Sequence, residues 1–87
     1  MDAITQLASL LDLAEQVGLT VRQVPGPADS DHPGGALVRL RDREVLFLDP
    51  TASVADQVSV TARALRGRAQ LDQRYLPPEL RELIEGA

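Results

Sequence analysis

The stretch Ala36-Leu-Val-Arg-Leu-Arg-Asp-Arg-Glu-Val-Leu-Phe-Leu-Asp49 consists of two apolar runs, 36–40 and 45–48, joined by a short charged connection. This pattern predicts a β-hairpin whose turn is centred on Asp42 and Arg43. A two-residue type I′ turn requires a positive φ at both central positions, which Asp42 tolerates and Arg43 resists. A four-residue type I loop with the same centre is therefore the alternative.

The predicted register of the hairpin places Leu40 opposite Val45 and Val38 opposite Phe47 on one apolar face. The other face then carries Leu37, Arg39, Glu44, Leu46 and Leu48. A slip of one residue would bring Leu40 against Glu44, which a buried face rejects. The second strand is consequently apolar on both sides, and we expect it to need cover on both sides.

Three segments with helical periodicity surround the hairpin. Ala3 to Val17 repeats apolar residues at helical spacing, and Gly18 follows at the position of a C-cap. Ser53 is placed as the N-cap of a second helix, whose apolar stripe leaves Val60 facing away. A third helix is predicted from Glu79 to Glu85, after two prolines.

The first two helices have the broader apolar stripes, so we expect them to line one face of the sheet. The face with Leu37, Leu46 and Leu48 would then depend on the short last helix or on another molecule. With a further strand over Leu19 to Val24, the order of elements is α-β-β-β-α-α. The predicted fold is a single α+β domain over residues 1–87, with a three-stranded, mainly antiparallel sheet packed against helices.

Residues 25–35 are predicted to form a flexible loop rich in proline, glycine and aspartate. The loop contains Asp29-Ser30-Asp31-His32, which has oxygen ligands but lacks the spacing of an EF-hand. One histidine also does not build a typical zinc site. We therefore interpret this segment as a solvated turn and predict no metal site.

Composition excludes several classes of function. The absence of cysteine excludes disulfides, thiolate zinc sites and cysteine nucleophiles. The start Met1-Asp2-Ala3 lacks the basic residues of a signal peptide, and no apolar run approaches a membrane span, so we expect a cytoplasmic protein without membrane contact. All nine basic residues are arginine, which suggests GC-rich bacterial coding bias, and the net charge of −4 makes nucleic-acid binding unlikely in general.

No catalytic constellation is recognisable in the sequence. His32 is the one side chain with a neutral-range pKa, and it falls in the predicted loop, where a catalytic group is poorly preorganised. Ser53 is already assigned to helix capping. We therefore expect neither an enzyme nor a cofactor.

The order of elements resembles a known family. A helix ending Leu-Ala-Glu-Gln-Val-Gly-Leu-Thr-Val, then strands, then a helix after Leu48-Asp49 is similar to the N-terminal half of ImmA/IrrE-type metallopeptidase domains, over roughly residues 3–67. The resemblance implies a zinc-binding His-Glu-x-x-His motif on the second helix. This chain instead has Val60-Thr-Ala-Arg-Ala-Leu-Arg66 there, so no zinc ligand can be carried over.

Three functional hypotheses follow from these observations. The first is a non-catalytic interaction module that associates with itself, as a homodimer, or with another protein, through an interface formed by Leu37, Arg39, Leu46 and Leu48. The second is a regulator that binds nucleic acid or an anionic ligand through Arg41, Arg43, Arg63, Arg66 and Arg68. The third is a zincin-like, metal-free relative of the peptidases, or an unusual hydrolase that depends on His32.

Overall fold

The chain folds into helices packed on a small sheet, as seen in a computed structural model that describes residues 1–25, 34–72 and 75–87. The elements are α1 (Ala3–Gln16), β1 (Thr20–Gln23), β2 (Gly35–Arg39), β3 (Glu44–Leu48), α2 (Val54–Leu65), α3 (Ala69–Asp72) and α4 (Pro78–Glu85). The α+β prediction is confirmed, and the short α3 is an addition to it. The predicted turn at Asp29 to His32 lies outside the described residues.

Local signals in the sequence explain where the two long helices begin and end. The side chain of Asp2 accepts a hydrogen bond from the backbone N–H of Thr5 at 2.7 Å and caps α1. Gly18 adopts a φ of +91° just after that helix, as expected for a glycine that ends it. The Ser53 hydroxyl accepts from the N–H of Asp56 at 3.1 Å, which confirms the predicted cap of α2.

The sheet has the strand order β1-β3-β2, with the apolar strand β3 in the middle. β2 pairs with β3 in the antiparallel sense, and β1 pairs with β3 in the parallel sense, so the sheet is mixed. A strand that is apolar on both faces is thereby flanked on both edges.

The hairpin register differs from the prediction by two residues. Val45 lies opposite Val38, where the prediction placed Leu40. The hairpin closes through the N–H of Leu40, which donates to the carbonyl of Arg43 at 2.8 Å. No described non-glycine residue has a positive φ, so this turn is not type I′. A shift of two preserves which residues share a face, and the predicted division of the side chains between the faces is therefore retained.

The core lies between the sheet and the helices. α1 and α2 pack against each other and against the strands, whereas α4 packs on α1 and α2 and not on the described strands. Helix α2 is buried over a wide arc, and Val60, predicted to face away, is 7 % exposed in the core. Leu13, which lies off the main stripe of α1, is also buried, because the helix layer surrounds α1 on more than one side.

Candidate protein-interaction surface

One face of the sheet is covered by helices at its centre. Leu46 and Leu48 are both 0 % exposed and belong to the core together with residues of α1 and α2. Leu37 is half-buried against the same core. The prediction that these leucines form an interface is therefore wrong for Leu46 and Leu48, because the helices occupy the face that the sequence analysis left uncovered.

The opposite face of the sheet has no helix on it within the described part of the chain. Strand pairing aligns Thr20, Val45 and Val38 in one row across the three strands, and Arg22, Phe47 and Ala36 in the next row. None of these six residues belongs to the core cluster. We call this surface the open face.

The open face is mainly apolar. Val38 is 37 % exposed on the edge strand, and Val24 and Leu40, which follow β1 and β2, are 47 % and 46 % exposed. Val45, in the middle strand, is only 2 % exposed. Val38 and Leu40 lie on the same edge of this face, and exposed apolar side chains grouped in this way, in contrast to leucines exposed singly, are typical of a binding site.

The outer edge of β2 pairs with no other described strand. The N–H of Leu40 donates to the carbonyl of Arg43, and the N–H of Asp49 donates to the carbonyl of Gly34. In an antiparallel pair, hydrogen-bonded positions alternate along the strand, so Ala36 and Val38 direct their backbone groups to β3. The N–H and C=O groups of Leu37 and Arg39 therefore point away from the sheet, where they can pair with another strand.

An ion-pair network fixes the basic end of the hairpin to the helix layer. Arg68 donates to both carboxylate oxygens of Glu44, at 2.8 and 2.9 Å, and its Nε donates to the carbonyl of Ala64 at 2.7 Å. Arg39 adds one contact to Glu44 at 3.2 Å. The hydrogen bonds from Arg68 are the main reason that the pKa of Glu44 is lowered to about 2.

The arginines proposed as an anion site are brought together only in part. Arg66 and Arg68 line a groove with Arg81, Arg43 lines a second groove beside Gly18, and Arg63 lines a third between α2 and α4. Arg41 is exposed in the hairpin turn. Of the grouped arginines, Arg66 donates to the carbonyl of Ala87 and Arg68 is held by Glu44.

The sequence also led us to expect no metal site and no membrane-spanning helix. The described residues contain no group of three or more histidine, cysteine or acidic side chains placed to hold a metal ion. Within the same ranges, no helix combines the length and the apolar character required for a membrane span. Residues 60–65 form the end of α2, where the Thr61 hydroxyl donates to the carbonyl of Gln57 at 2.8 Å.

The open face and the edge of β2 were not predicted from the sequence as an interaction surface. Strand alternation correctly groups Val38 with Val45 and Phe47, but alternation alone does not say which of two apolar faces receives the helices. Comparisons with protein-family models, with curated proteins and with solved structures find no match.

Proposed function

We propose that this protein is a non-catalytic interaction module that associates with a second copy of itself through its sheet. The observation that carries the proposal is the exposed apolar surface at Val38 and Leu40 on the open face, which no described helix covers. Burial of such surface provides about 25 cal/mol per Å² of apolar area removed from water. A partner that covers this surface gains that free energy.

The composition of the surface favours a protein partner over a charged ligand. The two rows of the open face contain a single charged residue, Arg22, and that residue lies on the outer strand β1. The basic side chains Arg39 and Arg68 lie on or beyond the other side of the sheet and are engaged with Glu44. An anionic ligand would therefore find little positive charge on the uncovered face.

Self-association is the form of interaction that the edge strand supports. A strand with an unpaired outer edge and apolar side chains on both faces is a template for another strand, and an identical strand is always available in solution. Most homo-oligomers are twofold dimers that use the same surface on both copies. Within the described ranges β2 meets this description, because no other strand pairs with its outer edge and Ala36, Leu37 and Val38 alternate between the two faces of the sheet.

The proposal predicts a monomer–dimer equilibrium. Sedimentation velocity from about 1 µM to about 1 mM covers dimerisation free energies from −8.2 to −4.1 kcal/mol, and we expect the mean sedimentation coefficient to rise across this range. The variant Val38→Asp should remain monomeric at concentrations at which the wild type is dimeric, since a carboxylate would replace exposed apolar surface on the edge strand.

Ile4→Asp provides the matched control for this experiment. Ile4 is 71 % exposed on α1, away from the sheet, so a charge there should leave the equilibrium unchanged. Circular dichroism of both variants verifies that they are folded. A wild-type protein that stays monomeric up to about 1 mM would contradict the proposal. Equal dimerisation of wild type and Val38→Asp would show that the surface lies elsewhere.

A further inference from the structure

We infer that two copies join edge to edge through β2, in antiparallel orientation, with the twofold axis passing beside Leu37. This inference rests on the proposed self-association and specifies its geometry. It would produce one continuous six-stranded sheet in the order β1-β3-β2-β2-β3-β1, with the helices of both copies on the same side.

The register is determined by which residues of β2 direct their backbone N–H and C=O groups away from β3. Leu37 and Arg39 direct their backbone groups outward, and Leu37 is the middle residue of the strand Gly35–Arg39. In a twofold pair centred on Leu37, the two copies of this residue exchange both of their hydrogen bonds. Arg39 of each copy then lies opposite Gly35 of the other, and Val38 lies opposite Ala36.

The side chains agree with this register on both faces. The two Leu37 side chains meet on the helix side, where each is already half-buried. On the open face, Val38 of one copy meets Ala36 of the other, so the exposed valine gains an apolar neighbour. Gly35 leaves space for the stem of Arg39 from the second copy.

Charge complementarity favours the antiparallel arrangement. The end of β2 nearest the turn carries Arg39 and Arg41, whereas the other end begins beside the first turn of α2. A Cβ atom added at Gly34 would meet the backbone carbonyl of Asp56, so Asp56 lies next to that end. Antiparallel pairing brings the basic end of each copy to the acidic end of the other, and the twofold axis repeats this contact.

Arg39 is available for such a contact. Its side chain is 80 % exposed. The hydrogen bond that it donates goes to the carboxylate of Glu44, which Arg68 already holds through two hydrogen bonds. A five-residue edge is only about 17 Å long, so we expect it to bury less than the roughly 800 Å² per partner of a standard interface. We therefore expect a micromolar dissociation constant and association that weakens with salt.

Single-cysteine variants test the register directly, since the chain has no cysteine of its own. Under mild oxidation, Leu37→Cys should form a disulfide-linked dimer, because hydrogen-bonded positions place Cα atoms about 5.5 Å apart. Val38→Cys alone should cross-link at least about tenfold more slowly, because its own symmetry mate is displaced by two residues along the strand.

A mixture of Ala36→Cys and Val38→Cys proteins provides a second test that leaves Leu37 in place. The two proteins should cross-link with each other faster than either does with itself, since these positions are directly opposite in the inferred register. Efficient self-linking of Val38→Cys, or the absence of linking in both tests, would overturn the edge-to-edge geometry. If sedimentation still shows a dimer, the proposed function survives without this geometry; a monomer contradicts both.

Discussion

Replacing Leu46 with alanine is expected to lower the free energy of unfolding by about 2–5 kcal/mol. Leu46 is 0 % exposed in the middle strand and packs against the core formed with α1 and α2. Truncation removes apolar contacts and leaves a cavity that the surrounding helices fill only in part. For a domain of this size, whose total stability is about 4–13 kcal/mol, such a loss leaves a substantial fraction of unfolded protein.

Urea unfolding followed by circular dichroism measures this loss, and Val38→Ala is the matched control. Val38 lies on the same sheet but on the open face, where it is 37 % exposed, so its truncation should cost much less. The comparison is made at low protein concentration to keep dimerisation out of the measurement. A larger loss for Val38→Ala than for Leu46→Ala would mean that the helices cover the other face.

Replacing Glu44 with glutamine is expected to cost about 1.5–3 kcal/mol at neutral pH, the range for hydrogen bonds to charged groups. The variant loses the charge that Arg68 binds through two hydrogen bonds, in a pair whose side chains are only 14 % and 26 % exposed. Arg39→Gln serves as the control, because its contact with Glu44 is solvent-exposed and should be worth at most about 1 kcal/mol.

The pH dependence of this pair has a definite sign. The pKa of Glu44 is lowered from an ordinary value of 4.5 to about 2, so the pair contributes its full stability above about pH 4.5. That contribution is lost as the pH falls from about 4.5 towards 2, because the unfolded chain takes up the proton first. Glu44→Gln should therefore show a flatter stability profile than wild type in this window. Parallel profiles would refute the role assigned to Glu44.

The helices were predictable because their signals are local. The apolar spacing of α1, the glycine after it and the serine cap of α2 all lie within a few residues of the boundaries that they determine. Val60 was misjudged because the periodicity of a helix indicates its main apolar stripe but not how many neighbours surround it, and the burial of Leu13 off the stripe of α1 has the same cause. Their burial depends on the packing of separate helices against one another.

The sheet was predictable only in part, for the same reason. Alternation in β3 correctly separated Leu46 and Leu48 from Val45 and Phe47, yet the choice of the face that the helices cover depends on distant elements. The turn sequence around Asp42 has weak preferences, so the register could move by two residues without changing the faces. The parallel pairing of β1 with β3 has no local signal in the sequence.

The candidate site depends on contacts between residues far apart in sequence. Arg68 and Glu44 are 24 residues apart, and nothing in the spacing of the arginines indicates that this one binds a carboxylate instead of a ligand. The outward direction of the Leu37 backbone likewise depends on the observed register and not on composition. Neither of these two features could be predicted from the sequence alone.

Amide hydrogen exchange at Leu37 is the most direct test of association through the β2 edge. In the monomer, the N–H of Leu37 points away from β3, whereas the N–H of Val38 is directed to β3 at every concentration. Exchange measured by NMR should therefore slow at Leu37 in proportion to the fraction of dimer, while Val38 stays protected throughout. An exchange rate at Leu37 that is the same from micromolar to millimolar protein would contradict the account.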